Sequence, residues 1–426
     1  MGRLALLSGL AAGVLLLGLA ALDGGIVALA VPLVVYLAAA LLYSPERPRL
    51  RASRTVSASH IRQGQPVKIH LTVVNEGPQL EEVRLLDCIV PPLELLDGQT
   101  SALTALPPGG KVELNYTVRG RRSIFTFHDV QAIATGPLGL FQRRVHLRAP
   151  AQLFILPASL RLHPLKIRPP RTRSFAGPIP ARQGGAGINF FGVRDYKPGD
   201  PLRWINWKAH ARHGRALFTT EFEQERVADV GLILDARRQT DVQMGGESLF
   251  EHSVQAAAAL AQAFLDDGNR VGLLVYGRGQ QATFPGYGKL QGERILRALA
   301  EARTGDNIRS LSYLPARFFP SRSQIVMISP LNPGDLPVLT RLRAYGYQIL
   351  VVSPDPVTFE ARWLEPHAGL PLAVRIARLE RLLLLRKLQR VGVQVIDWQV
   401  DQPLDRALHH GFSRMPKEFR TLGGQG

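Results

Sequence analysis

The chain has 426 residues, and its 52 lysines and arginines outnumber 34 aspartates and glutamates to give a formal charge of +18. With 46% hydrophobic residues it can bury two or three cores, which excludes a disordered or low-complexity chain. Cys88 is the single cysteine, so a disulfide scaffold and a thiolate metal cluster are excluded, and a reducing cytosol is the simplest surrounding.

Leu4 to Leu22 carries no charge, Asp23-Gly24-Gly25 interrupts it, and Ile26 to Tyr43 is again uncharged. At 1.5 Å per residue each stretch is roughly 27–28 Å long, close to the hydrocarbon core of a bilayer. A cleaved signal peptide leaves the second stretch unexplained, and a buried hairpin of a soluble protein is the other competitor. Residues 1–45 are therefore read as a transmembrane helical hairpin, with the lipid bilayer as its partner. Arg3 precedes the hairpin and Arg47, Arg49, Arg51 and Arg54 follow it, with only Asp23 between the spans. The positive-inside bias predicts a two-pass protein of the cell (inner) membrane, the bulk of the chain cytoplasmic and those arginines against an anionic leaflet.

Residues 51–150 read as a β-sandwich domain. Val67 to Val73 alternates apolar and polar residues, and Asn75-Glu76-Gly77-Pro78 makes a turn. Val83 to Val90, Lys111 to Val118, Ile124 to Ala134 and Arg144 to Leu147 are further predicted strands. Cys88 lies on the first of these and is expected to be a buried, inert thiol. Residues 151–226 hold a linker and an unusual segment taken up below. Within the linker, Arg168-Pro169-Pro170-Arg171 reads as solvated chain, with a basic arm for nucleic acid or lipid headgroups as the competing use.

From 227 to 426, strand and helix patterns alternate. Strands are predicted at Val230 to Leu234, Val271 to Tyr276, Gln324 to Ile328, Gln348 to Val352 and Val393 to Trp398. Helices are predicted at Glu247 to Leu265, Gly292 to Ala302, Leu336 to Tyr345 and Leu372 to Arg390. This is the α/β pattern of a doubly wound, mainly parallel sheet, whose ligands meet the strands' carboxyl ends, here near Asp235, Ser329 and Ser353. Leu379 to Leu388, broken by Arg381, Arg386 and Lys387, is too short to span a bilayer and reads as a core helix with basic flanks.

The segment from Gly187 to Arg212 is dense in glycine, aromatic and basic residues. Lys197-Pro198-Gly199-Asp200 fits a β-turn, and Asp200 is placed to cap a short helix carrying Arg203 and Trp207 on one face. Arg194, Arg203, Lys208 and Arg212 would then surround the indoles of Trp204 and Trp207. The residues leave two uses open: a structural clasp, or a surface that binds a partner or stacks on single-stranded nucleic acid.

The spacing GxxFxGxRxYxPGDxxRxIxWxxxAR is similar to the signature of the domain of unknown function 58 family. It is met by Gly187, Phe190, Gly192, Arg194, Tyr196, Pro198, Gly199, Asp200, Arg203, Ile205, Trp207, Ala211 and Arg212. Gly136 and Asn206 depart from it, since aspartate is usual at both places. The resemblance extends over the whole chain. It implies a von Willebrand factor A-like α/β domain after the β-rich one, and a MoxR-type AAA+ ATPase as protein partner. Domains of that kind often hold a divalent cation through Asp-x-Ser-x-Ser. Here Asp235 is followed by Arg237 and Gln239 in the serine slots, and Pro330 stands where a second aspartate is expected. A degraded divalent-cation site follows: no metal, no cofactor, and Asp235 paired with Arg237 or a neighbouring donor.

For catalysis the sequence offers little. HExxH and CxxC motifs are absent, and Gly184-Gly185-Ala186-Gly187 lacks the Lys-Ser/Thr of a phosphate-binding loop. His210 and His213 flank Arg212, and His409-His410 form a pair, none with an evident carboxylate or cysteine partner. A membrane-anchored scaffold or accessory protein, without enzymatic activity and without nucleic acid, is the expected function. The alternative is a basic membrane protein that binds nucleic acid or lipid headgroups.

Overall fold

In the computed structural model the described residues are 2–44, 47–158, 160, 162–163, 172–214, 216–277, 279–306, 318–320 and 323–413. Within them, 2–3, 172–189, 191, 213, 222–227, 279–280 and 412–413 are described by backbone alone. The Arg168-Pro169-Pro170-Arg171 stretch lies outside the described residues. The chain divides into two compact units, Met1–Leu156 and Pro157–Gly426.

In the first unit the two uncharged stretches form helices α1 (Gly2–Ala21) and α2 (Gly24–Leu42), both long and apolar enough to cross a membrane. Leu22 turns the chain with φ 51°, and the Asp23 carboxylate accepts the Gly25 N–H at 2.7 Å, which caps α2. Strands β1 (Leu50–Val56), β2 (His60–Arg62), β3 (Val67–Asn75), β4 (Leu80–Leu86) and β5 (Glu94–Gly98) follow. After them come β6 (Ser101–Leu106), β7 (Lys111–Arg119), β8 (Ser123–Thr135) and β9 (Gln142–Leu156). They make two sheets, β1-β3-β7-β5 and β2-β9-β8-β4-β6. Alternate residues of both enter shared clusters; Leu71 and Leu114 of one meet Val83, Leu85 and Val130 of the other.

Three expectations change here. β9 runs past residue 150, so the unit ends at Leu156. Cys88 is exposed, because β4 stops at Leu86 and the chain leaves the sheet before the thiol. Arg54 is not at the membrane surface: its side chain is fully buried on β1, 2.5 Å from Asp87, which also accepts the Tyr116 hydroxyl at 2.7 Å. Burial, reinforced by that bond to Asp87, pushes the Tyr116 phenol far above its ordinary pKa.

The second unit opens with a long ribbon, β10 (Thr172–Asp195) antiparallel to the first half of β11 (Phe218–Asp235), with register shifts at its bulges. Half of the expected linker is therefore strand, and Gly184 to Gly187 lies inside β10 instead of forming a loop before a helix. Helix α3 (Trp207–His213) lies between the two. The second half of β11 then enters a sheet with β14 (Arg270–Gly277), β15 (Gly279–Gly286), β16 (Gln324–Ile328), β17 (Gln348–Pro354) and β18 (Gln394–Trp398). Strands β12 (Gln243–Met244) and β13 (Glu247–Ser248) form a small separate hairpin. The order is β15-β14-β11-β16-β17-β18, parallel except for β15.

Helices α4 (Leu249–Asp266), α5 (Gly288–Glu301) and α9 (Leu404–Ser413) cover one face, where Leu232 and Leu234 meet Phe264, Leu299 and Leu408. Helices α6 (Asp335–Ala344) and α8 (Leu370–Arg390) cover the other, where Ile233, Ile325 and Val351 meet Leu339, Leu342, Leu385 and Leu388. The short α7 (Pro356–Ala361) precedes α8. With both faces covered, β16 is buried at every position, and each fully buried apolar side chain stabilises by about 1.5–3 kcal/mol. Along α8 the leucines divide: Leu385 and Leu388 are buried, whereas Leu379, Leu382 and Leu383 face solvent. Arg381, one of the three cations expected to break the leucine run, is buried.

Candidate functional site

The loops at the carboxyl ends of β11, β16, β17 and β18 are held by two guanidiniums, the half-buried Arg237 and the buried Arg381. Arg237 stands two residues beyond the end of β11. Its Nε and Nη2 donate to Asp235 Oδ1 and Oδ2 at 2.9 and 2.7 Å. On its other side Nη1 and Nη2 donate to Asp335 Oδ1 and Oδ2, both at 2.8 Å. Ser329 Oγ donates to Asp235 Oδ2 at 2.6 Å, the Arg237 N–H to Asp235 Oδ1 at 3.1 Å, and the Asn332 N–H to Asp335 Oδ2 at 2.8 Å. Both oxygens of Asp235 thus accept two bonds each, and the guanidinium fills the space between the carboxylates. Burial opposes the charge on Arg237, but its bonds to Asp235 and Asp335 outweigh burial and raise its pKa further.

The chain pays for this geometry at Leu331, whose backbone is left-handed at φ 68° while its N–H donates to Ser329 Oγ at 3.0 Å. Pro330 supplies a carbonyl, which accepts Arg381 Nη1 at 2.9 Å and the Ser353 hydroxyl at 3.2 Å. Gln239, in a 3₁₀ turn, is exposed and away from this cluster.

Arg381 reaches from α8 to the neighbouring loops. Its Nη2 donates to Ser353 Oγ at 3.0 Å and to Asp397 Oδ1 at 2.6 Å, and its Nε lies 3.2 Å from Asp355 Oδ1. Asp355 in turn caps α7 by accepting the Val357 N–H at 3.0 Å. Sequence reasoning located Asp235, Ser329 and Ser353 but missed Asp335, Asp355, Asp397 and Arg381. The signal for Arg381 was a cation ahead of four consecutive leucines, and an acid opening a helix after Asn332-Pro333-Gly334 was the signal for Asp335.

The segment before β11 is braced separately. Lys197 to Asp200 forms the turn, with the Asp200 N–H on Lys197 O at 3.0 Å and Gly199 at φ +106°, a value that needs glycine. Asp200 does not cap a helix. Its two oxygens accept Arg194 Nη1 and Nη2 at 2.8 and 2.9 Å, and Oδ2 also accepts the Lys197 N–H. The Arg194 guanidinium, and after it that N–H, hold the Asp200 carboxyl below its usual range.

The expected single helix is two pieces. A 3₁₀ turn covers Leu202–Trp204, Ile205 is extended and bridges Thr219, and α3 begins at Trp207, so Arg203 and Trp207 do not share a helical face. Asn206 caps α3 by accepting the Ala209 N–H at 2.9 Å, a task aspartate performs equally. The Arg203 Cζ lies 5.9 Å from the Trp204 ring centroid, while Arg194 is engaged with Asp200, and Lys208 and Arg212 are exposed on α3. The Tyr196 N–H donates to Leu217 O at 2.8 Å, tying the turn to the start of β11. Phe190, Leu202 and Trp207 are 63%, 72% and 65% exposed.

His210 Nδ1 lies 2.9 Å from Ala216 O. His409 does have a carboxylate neighbour, Asp405, one helical turn earlier at 3.6 Å.

Known proteins resemble this chain over parts of its length. A cupredoxin domain of amoB from Nitrosocaldus yellowstonii aligns with 26% of this chain and 89% of its own at 8% identity, with a TM-score of 0.19. A FixG-related protein from Vibrio parahaemolyticus aligns with 24% of this chain and 95% of its own at 17% identity, with a TM-score of 0.16. At those scores neither bears on fold or activity. An uncharacterised protein, YeaD, of Bacillus subtilis (strain 168) is 27% identical over 259 residues, which cover 60% of this chain and 62% of that relative, less than two thirds of its length. Residues 192–352, which include Arg194, Asp200, Trp207, the Asp235–Arg237–Asp335 cluster and Ser329, match the profile of the family described as "Protein of unknown function DUF58".

Proposed function

We propose that this chain is a membrane-anchored, non-enzymatic docking protein whose α/β unit presents the segment from Phe190 to Arg212 to a MoxR-type AAA+ ATPase. In this reading the first unit contributes a two-span anchor and a β-sandwich, and the second is a von Willebrand factor A-like domain with its cation replaced by Arg237. The observation that carries the reading is the exposure of Trp207, Leu202 and Phe190 on a segment held by its own bonds. The Arg194–Asp200 pair, the Lys197–Asp200 turn and the Asn206 cap keep the backbone fixed while large apolar side chains stay outside. Exposed aromatic and arginine side chains on a preformed support are what protein partners use as anchors.

The test is capture of the ATPase by full-length protein in detergent. Wild type is expected to retain it, in the presence of chelator as well, and Arg203→Ala with Trp207→Ala to lose roughly tenfold or more of it at an unchanged melting temperature. Capture of no ATPase, or equal capture by the double variant, contradicts the reading.

A second reading, adhesion of the α/β unit to an anionic lipid surface, is favoured by α8. Leu372, Ile376, Leu379 and Leu383 make an exposed stripe at helical spacing, bordered by the exposed cations Arg375, Arg378, Arg386, Lys387 and Arg390. Loss of vesicle binding on Leu379→Glu would support that reading.

A further inference from the structure

Helix α9 and the chain at His163 gather two imidazoles and a carboxylate that neither the docking segment nor the arginine clusters use. Asp405 and His409 stand four residues apart on α9, so their side chains share a face, with Asp405 Oδ1 3.6 Å from His409 Nε2. His163 joins them from 242 residues away in the chain. Its backbone N–H donates to Asp405 Oδ1 at 2.9 Å, and its Nδ1 lies 2.7 Å from Asp405 Oδ2. The two imidazoles meet edge to face with centroids 5.6 Å apart, and one donor atom from each of the three residues falls within 4.8 Å of the others.

We propose that His163, Asp405 and His409 bind a divalent transition-metal ion of the Zn²⁺ type. Two nitrogens and one carboxylate oxygen are the donor set such ions prefer, whereas Mg²⁺ and Ca²⁺ take oxygen ligands. With metal–ligand bonds of about 2.0–2.1 Å, tetrahedral ligands stand about 3.3 Å apart. His163 Nδ1 lies 2.7 Å from Asp405 Oδ2 and His409 Nε2 3.6 Å from Oδ1, with one donor atom of each residue inside 4.8 Å, so closing on an ion requires the side chains to rotate toward one shared point.

The backbones that carry the ligands are anchored independently of any ion. Leu404 and Leu408 are buried in the core beneath α9, and Leu160 and Leu162, just before His163, pack against the same core. Three protein donors leave a fourth position to water, and the bound ion would fasten the entry to the α/β unit to its last described helix.

The test uses full-length protein in detergent without a polyhistidine tag, titrated calorimetrically with Zn²⁺ and melted with and without it. Wild type is expected to bind one ion and to melt about 5 °C higher at saturation. His163→Gln and His409→Ala are each expected to lower affinity roughly tenfold or more. His410→Ala is expected to bind as wild type does. Asp405→Asn retains an acceptor for the His163 N–H, so it is expected to keep the zinc-free melting temperature and lose the zinc-dependent rise. Absence of binding in wild type, affinity unchanged in His163→Gln and His409→Ala, or equal loss in His410→Ala would overturn the assignment.

Discussion

Arg237 brings to the end of β11 a positive charge that belongs to the chain and cannot exchange with solvent. A hydrated cation in that position would be gained or lost with its concentration, whereas the guanidinium holds the loops after β11 and β16 at all times. Removing one partner from a buried ion cluster leaves uncompensated charge, which costs about 3–5 kcal/mol. Arg237→Ser is therefore expected to lower the melting temperature of the detergent-solubilised protein by a loss of about that size. It also uncovers Asp235, Asp335 and a new hydroxyl as oxygen ligands, so Mg²⁺ is expected to restore part of the loss in this variant and to leave wild type unchanged. A magnesium-dependent rise in the wild-type melting temperature, or a variant as stable as wild type, would show that Arg237 does not do the work of an ion.

At the level of elements, α3 is only seven residues long and depends on its ends. Asn206→Ala removes the cap and is expected to cost about 1 kcal/mol, while Asn206→Asp is expected to stay within about 0.5 kcal/mol of wild type. Thermal melts followed by tryptophan fluorescence distinguish the two, and equal losses would contradict the capping role. The same scale explains what could be read without coordinates. β14, β16 and β17 announce themselves as unbroken apolar runs because a strand covered on both faces needs nothing else. β10 does not, since its glycines, prolines and arginines have the composition of a linker and its pairing with β11 is a long-range property. The split between the 3₁₀ turn and α3 was hidden for a similar reason, because Ile205 is drawn out of the helix by its bridge to Thr219. Asp235 could be located at a strand end, but Asp335, the second carboxylate that Arg237 engages, lies 100 residues later, on α6.

For the molecule as a whole, charge is unevenly used. The +18 excess coexists with two clusters in which one arginine faces two carboxylates, Asp235 with Asp335 and Asp355 with Asp397. Arg54 is held inside the first unit by Asp87, so one arginine fewer than the sequence implied is left for a leaflet, while Arg51 stays exposed beside Glu76. A platform for an ATP-driven partner has to stand in the compartment that holds ATP. Protease treatment of intact cells, set against inside-out membrane vesicles, measures this directly through the fate of the chain beyond Tyr43. Docking on a cytoplasmic ATPase requires that region to survive in intact cells and to be digested in the vesicles. Digestion in intact cells with protection in the vesicles would place it outside and leave the docking segment with no such partner to meet.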